Sequence, residues 1–260
     1  MSIPLSLSGK VALISGGSRG IGAATVRMFT AAGAKVVFNY RSARSQAEAQ
    51  VAQCGPSVCH AVHCDLNTAA SGRDLVAAAV KHFGRLDILV ANHGIWPSDD
   101  VAVENLPDEQ WRSTLAINLD SVFGLVKHAV AQMKSQPRQH GPAGHIVLIS
   151  STSGQRGEAF HCDYSSTKGA LISLTKSLAS ELAPAGIYVN CVAPGWVDTD
   201  MSSATLADPR TGPIIQRTIP LGRAGKPEEI AAPILFLCTE HAGFITGEIF
   251  NVNGGAVLVG

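Results

Sequence analysis

Tyr164 and Lys168 stand four residues apart at the head of a helical pattern that runs to about Leu182. Residues at that spacing share one helix face, so a phenol and an ammonium are held side by side. A neighbouring ammonium favours the phenolate, and the expectation is that Lys168 lowers the Tyr164 pKa toward neutrality, where it can trade protons. Upstream, residues 144–151 (Gly-His-Ile-Val-Leu-Ile-Ser-Ser) read as a buried strand ending in hydroxyls. The strand's end and the helix's start would present Ser151, Tyr164 and Lys168 to one cleft. That set suits moving a proton onto or off a carbonyl or alcohol oxygen. A Tyr-x-x-x-Lys spacing alone also arises in helices with a solvated lysine, so the rest of the chain must supply the remaining parts.

Near the start, Lys10 to Ser15 is a short apolar strand that runs into Gly16-Gly17-Ser18-Arg19-Gly20-Ile21-Gly22 and then an amphipathic helix to about Ala32. Glycines here permit a tight turn and let backbone N–H groups approach a pyrophosphate at a helix N-terminus. The same residues match Gly-x-Ser-x-Gly, the nucleophile elbow of hydrolases, with Ser18 as nucleophile. Only one strand precedes them, whereas an elbow sits mid-sheet after several, so dinucleotide binding is the better reading. The second strand, 34–40, ends in Tyr40, Arg41 and Ser42 with no acidic residue to hold the ribose hydroxyls of NAD. Arg41 and Arg19 could instead meet a 2′-phosphate, which points to NADP(H) over NAD(H).

Composition narrows the class. The 260 residues carry 20 Lys plus Arg against 20 Asp plus Glu, which gives no electrostatic reason to expect nucleic acid or an anionic membrane. No apolar run approaches the roughly 20 residues of a membrane helix. Met1 to Gly9 lacks the basic and apolar blocks of a signal peptide. Six cysteines without a Cys-x-x-Cys pair point to reduced thiols in a cytoplasm. The cluster Cys59-His60-Ala61-Val62-His63-Cys64-Asp65 looks like metal ligands, but 57–64 reads as a strand. His60 and His63 then face opposite ways, and Cys59 and His63 sit about 13 Å apart, so no metal is expected.

Further along, a helix from about Ala70 to His82 leads to the strand 86–91, which ends in Asn92-His93-Gly94. Asp108 to Lys134 reads as one long helix with Asn118 buried among apolar neighbours, where its amide must find partners. Residues 186–192 form another strand, followed by Pro194-Gly195-Trp196-Val197-Asp198-Thr199. Residues 200–220 have weak periodicity and suit a mobile lid. A helix over 227–238 and a strand over 247–252 finish the chain. Strands alternate with helices throughout, so the expectation is a single-domain Rossmann fold: α/β, with a doubly wound parallel sheet of about seven strands.

With these residues in place the chain resembles the short-chain dehydrogenase/reductase family from Lys10 to Gly255. The parts occur in the family's order: the glycine turn, Asp65 with Leu66 at the adenine position, Asn92-x-Gly94, Asn118, Ser151, Tyr164, Lys168, and Pro194-Gly195 with Thr199. The resemblance implies that Tyr164 donates the proton to a carbonyl reduced by hydride while Ser151 holds the substrate oxygen. Lys168 would bind the nicotinamide ribose and lower the tyrosine's pKa, and Asn118 would position a water behind it. Gly16, Ser18, Arg19, Gly20, Ile21 and Gly22 would cradle the phosphates. Tyr40, Arg41, Ser42, Asp65 and Leu66 would flank the adenosine end; Asn92, Gly94, Pro194, Gly195, Val197 and Thr199 would border the nicotinamide half. Relatives associate as homotetramers, through regions that here include an apolar spread on the 163–182 helix and the apolar tail 256–260.

Departures qualify the match. His93 replaces a small residue, and a bonded imidazole outside the ligand is the expectation. The family's 3-oxoacyl carrier-protein reductases carry arginines where this chain has Pro142 and Ala185, which argues against docking an acidic carrier. The leading reading is an NADPH-dependent reductase of a small ketone or aldehyde. The alternatives are a 3-oxoacyl carrier-protein or acyl-CoA reductase, a catalytically silent nucleotide-binding protein, and the Ser18 hydrolase. The pocket walls are expected to include His93, Trp96, Ser153, Phe160, His161, Trp196 and the lid.

Overall fold

Seven short apolar strands form one parallel sheet in the computed structural model, which describes residues 4–138 and 141–258. They are β1 (Val11–Ile14), β2 (Lys35–Tyr40), β3 (Cys59–His63), β4 (Ile88–Ala91), β5 (Gly144–Ile149), β6 (Ile187–Pro194) and β7 (Ile249–Val252). The spatial order is β3-β2-β1-β4-β5-β6-β7. Chain order therefore reverses between β1 and β4, and the crevice outside the carboxyl ends at that point is where such sheets take ligands.

The sheet is buried on both faces because alternate residues of each strand supply two separate cores. Ala12, Ile14, Val36, Phe38, Val90, Val147 and Val192 face one side, under α1 (Gly20–Ala31), α2 (Arg44–Cys54) and α10 (Pro227–Leu237). Leu13, Val37, Leu89, Ile146, Leu148 and Val189 face the other, under α3 (Ala69–Phe83), α5 (Ser121–Ser135) and α7 (Cys162–Leu182).

One expectation changes, and two stretches gain elements that the sequence did not assign. The long helix over 108–134 is α4 (Asp108–Leu115), then one π-type stretch (Ala116–Asp120), then α5. The break centres on Asn118, whose side chain is committed to Ile95 rather than to its own helix. Residues 152–156, unassigned from sequence, form the short helix α6 (Thr152–Arg156), because Ser151 caps it by accepting from Ser153 N–H at 3.1 Å. Residues 200–220 contain two short helices, α8 (Ser203–Ala207) and α9 (Thr211–Thr218). Of the apolar tail, Val257 is buried and Leu258 is 88 % exposed; Val259 and Gly260 lie outside the described residues. His60 stacks on His82 with ring centroids 3.8 Å apart, and among the described residues no group of three or more His, Cys, Asp or Glu could hold a metal.

Candidate active site

The glycine turn after β1 is built around two buried polar side chains. Asn39 of β2 accepts from Gly16 N–H at 2.9 Å and donates to Cys64 O at 2.8 Å, tying the turn to the ends of β2 and β3. Ser15 accepts from the backbone N–H groups of Asn92 (2.9 Å) and His93 (3.2 Å), tying it to the end of β4. Arg19, at the cap of α1, is extended and its side chain does not cap the helix, so the N–H groups of the first turn of α1 are left for a ligand at the cleft. Gly22 lies behind the turn: a Cβ there would sit 2.1 Å from Gly16 O and 2.7 Å from Asn92 Nδ2. Only glycine lets α1 pack this close.

A cleft of about 510 Å³ runs from this turn to the triplet Ser151, Tyr164 and Lys168. Gly16, Ser18, Arg19, Gly20 and Ile21 line it at one end, and Tyr40, Arg41, Ser42, Asp65 and Leu66 border it beyond β2 and β3. Asn92, Gly94, Ser151, Tyr164, Lys168, Pro194, Gly195, Val197 and Thr199 line the remainder. Two of the expected site residues are not on the wall. Gly22 is the packing glycine just described, and Asn118 is fully buried behind it. An uncapped helix start, a close-packed glycine turn and a cleft of this size fit a dinucleotide.

The triplet converges on the carboxyl end of β5. Ser151 follows the strand as the cap of α6, accepting from Ser153 N–H through Oγ, and its side chain also hydrogen-bonds the Tyr164 phenol. Lys168 is 4 % exposed and donates from Nζ to Ile149 O at 2.8 Å, while Ser150 donates to Lys168 O at 2.7 Å. A Cβ on Gly154 would lie 2.5 Å from Lys168 C, so α6 and α7 touch backbone to backbone. The first turn of α7 is pinned by fully buried Asp163, which accepts from Thr114 at 2.9 Å and Gln110 at 3.2 Å.

The electrostatics correct one expectation. Burial pushes the Tyr164 phenol up to about 12, against an opposing hydrogen bond with Ser151 and with a further push from the Glu158 carboxylate. Lys168 does not lower it here: burial takes the lysine itself down to about 8, so desolvation outweighs the pairing that the i, i+4 spacing suggests. Nζ lies 5.7 Å from the centre of the Tyr164 ring.

Asn118 accepts from Ile95 N–H at 2.8 Å and donates to Ile95 O at 2.9 Å and Thr167 Oγ1 at 3.3 Å. The π stretch is thereby latched to the segment beside Gly94 and to α7. His93 is bonded at both nitrogens, Nδ1 to Ser15 Oγ at 2.7 Å and Nε2 to Ser121 Oγ at 2.6 Å. Ser121 donates to Ile117 O at 2.7 Å, so it accepts from Nε2–H, and Nδ1 accepts from Ser15. Burial, helped by the Lys168 charge, takes the imidazole down to about 3, and it stays neutral.

Beyond the triplet the cleft is walled by Trp96 and Trp196, packed edge to face at 5.7 Å, with Ser98, Ser153, Arg156 and Glu158. Phe160 and His161, expected on the wall, are not there. Phe160 is 54 % exposed with φ +66°, and His161 lies stacked on Trp96 at 5.2 Å. Sequence reasoning missed Glu158, Arg156, Ser98 and Asn39. The first two lie between Ser151 and Tyr164, Arg156 at the end of α6 and Glu158 in the loop after it, where that proximity was the available signal; Asn39 was visible as an amide inside an apolar strand.

The sequence model of a family described as enoyl-(acyl carrier protein) reductase matches residues 16–257. A 3-oxoacyl-[acyl-carrier-protein] reductase from Synechocystis is 38 % identical over 97 % of this chain and 99 % of its own length. Among solved structures, a short-chain dehydrogenase/reductase titled glucose/ribitol dehydrogenase from Brucella melitensis superposes with TM-score 0.89 at 34 % identity, covering 99 % of this chain and 100 % of that one. A short-chain dehydrogenase from Burkholderia cenocepacia in complex with NADP gives 0.86 at 32 % identity over 96 % and 98 %. A 3-ketoacyl-(acyl-carrier-protein) reductase from Brucella melitensis complexed with NADH gives 0.88 at 32 % identity over 97 % and 100 %.

Proposed function

The chain belongs to the short-chain dehydrogenase/reductase family of nicotinamide-dependent oxidoreductases, and from that premise we propose that it reduces a small ketone or aldehyde with NADPH, reversibly oxidising a secondary alcohol. The observation that carries this reading is Ser151, Tyr164 and Lys168 on one wall of the cleft that begins at the glycine turn.

The cofactor supplies or accepts the hydride at the substrate carbon. Tyr164, held protonated by burial, gives its phenolic proton to the substrate oxygen during reduction and takes it back during oxidation. Ser151, which hydrogen-bonds the phenol, would donate its hydroxyl proton to the same oxygen, lowering the barrier as negative charge builds there. Lys168, fixed at Ile149 O, would hold the nicotinamide ribose beside the phenol. The glycine turn and the first turn of α1 would take the pyrophosphate, with Asn118 and Asn92 bracing the backbone around Gly94. Arg41, exposed and without an ion pair among the described residues, would meet the 2′-phosphate. Arg19 reaches the same edge but also faces Asp200 at 3.5 Å.

A 3-oxoacyl thioester is the second reading, favoured by the named reductase relatives and by one feature of the surface. Arg138 donates to Ala185 O at 2.8 Å, so a cation stands beside a position where carrier-docking relatives have arginine. Pro142 has no such substitute among its described contacts, which is why the small-molecule reading stands first. Six free cysteines, and no described helix long and apolar enough to cross a membrane, support a cytoplasmic enzyme without membrane or nucleic-acid partners. Self-association to a homotetramer completes the reading.

The test is a carbonyl panel followed by loss of NADPH absorbance and repeated with NADH. Tyr164→Phe should cut turnover by about 10²–10⁴-fold while cofactor affinity holds. Turnover within a few-fold of wild type would remove Tyr164 from the mechanism.

A further inference from the structure

Resting on the reading of the cleft as a nicotinamide cofactor site, we propose that His93 is a positioning residue for the nicotinamide half of that cofactor. As its Nε2–H tautomer it joins the end of β1 to the start of α5, and so fixes Gly94 and Lys168. The proton count gives the chain one direction. Ser15 Oγ already accepts the backbone N–H groups of Asn92 and His93, and the nearest acceptor for its own proton is His93 Nδ1 at 2.7 Å, against 3.4 Å to Val90 O. The ring gives Nε2–H to Ser121 Oγ at 2.6 Å, and Ser121 gives its hydroxyl proton to Ile117 O at 2.7 Å. Ser15 and Ser121 are fully buried, so neither hydroxyl can turn to solvent instead. A second proton on the ring would face Ser15 Oγ, whose lone pairs are taken, and the Lys168 ammonium lies close enough to oppose the charge.

What the chain ties together is the wall of the cleft. Gly16 follows Ser15, and a Cβ there would lie 3.2 Å from His93 Cα and Cβ, so the glycine turn rests on this residue. At Gly94, next after His93, a Cβ would lie 3.1 Å from Asn118 Oδ1 and 3.5 Å from Lys168 Nζ. A shift of the His93 backbone therefore reaches the ammonium proposed to hold the nicotinamide ribose. At the far end, Ser121 N–H passes over Ile117 O to reach Ala116 O, and the Ser121 hydroxyl takes Ile117 O in its place. By donating to that hydroxyl, His93 holds the last turn of the π stretch, as Asn118 holds its middle. His93, Gly94, Ile117 and Lys168 all line the cleft. None of these bonds touches its adenosine end, bordered by Tyr40, Arg41 and Asp65. Buried hydroxyls that lose a partner cost free energy, so removing the ring should loosen the nicotinamide half and spare the adenosine end.

His93→Leu fills much of the ring's space and removes both of its side-chain hydrogen bonds, while His93→Gln returns an amide donor toward Ser121. Titration should show His93→Leu binding NADPH and NADH each about 10-fold more weakly than wild type. Adenosine 2′,5′-bisphosphate, which reaches only the adenosine end, should bind both proteins equally. His93→Gln should recover most of the NADPH affinity. Ser121→Ala should reproduce the His93→Leu loss and add little to it in the double variant. Nitrogen NMR of the wild-type imidazole should place its proton on Nε2. An Nδ1–H ring, full dinucleotide affinity in His93→Leu, no rescue by glutamine, or additive losses in the double variant would overturn the proposal. Equal weakening of the dinucleotides and the bisphosphate would overturn it too, by showing a general loosening of the fold. Should His93→Leu fail to fold, Ser121→Ala with the same three ligands, and the tautomer, decide it. All of those results leave the reductase reading intact, whereas a wild type that binds neither dinucleotide would end both.

Discussion

Two residues show how burial sets the chemistry and what it costs. Lys168 falls from an ordinary 10.5 to about 8 because the protein removes its ammonium from water. Between about pH 8 and 10.5 the unfolded chain holds a proton that the folded chain has released, so stability should climb with pH across that window. At pH 7 both states are protonated and the full penalty is present, about 3 kcal/mol at 1.36 kcal/mol per pKa unit. Lys168→Met keeps the volume and removes the charge, but it orphans Ile149 O at a cost of about 1 kcal/mol. Cofactor-free Lys168→Met should therefore melt roughly 4–8 °C above wild type at pH 7 while losing turnover. The gap should narrow above pH 9, and calorimetry at the two pH values decides it; a variant that melts lower at pH 7 would show that the buried ammonium is already compensated. Arg41 is the opposite case, exposed and without an ion pair among the described residues. Arg41→Ala should weaken NADPH binding by about 10-fold, the low end for a charged hydrogen bond because solvent screens it, and leave NADH nearly unchanged. Equal weakening of both cofactors by titration would place the 2′-phosphate elsewhere.

Elements were legible where periodicity carried them, and less so where a distant partner decided the backbone. Strand and helix positions followed from apolar patterning, and the glycine turn and the Tyr164–Lys168 pair followed from residue type and spacing. The π stretch at Ala116–Asp120 did not, because its cause is Ile95, far along the chain and in contact only after folding. Nor did the Tyr164 pKa, since spacing reports the neighbouring charge but not the desolvation that outweighs it. The π stretch makes its own prediction. Asn118→Leu would leave the N–H and C=O of Ile95 unpaired and let the helix run straight past Gly94. We expect a stability loss of about 1–3 kcal/mol in urea unfolding together with weaker cofactor binding, because the segment it releases borders the nicotinamide half of the cleft. Full cofactor affinity alongside reduced stability would make the latch purely structural.

At the scale of the molecule, the two apolar cores account for both faces of the sheet, yet large apolar side chains remain in water on the isolated chain. Phe123 on α5 is 51 % exposed, Trp111 on α4 37 %, Phe244 fully, and Leu258 88 %. On α7, Leu174 and Leu178 pack only partly against the core, consistent with a helix whose apolar residues spread beyond one stripe. Scattered exposed residues need no explanation singly, but the sheet face carrying α5 and α7, and the tail, are the two regions we propose as interfaces. A closed homotetramer, a dimer of dimers with two kinds of interface, would cover both. Light scattering at micromolar concentration should then report four times the 27.0 kDa chain mass. Phe123→Glu places a charge on the α5 face alone and should yield dimers that keep the tail contact. Leu258→Glu should act on the other interface, and the double variant should be a monomer. A wild type that scatters as a monomer, or a Phe123→Glu protein that remains tetrameric, would mean these side chains face solvent for some other reason.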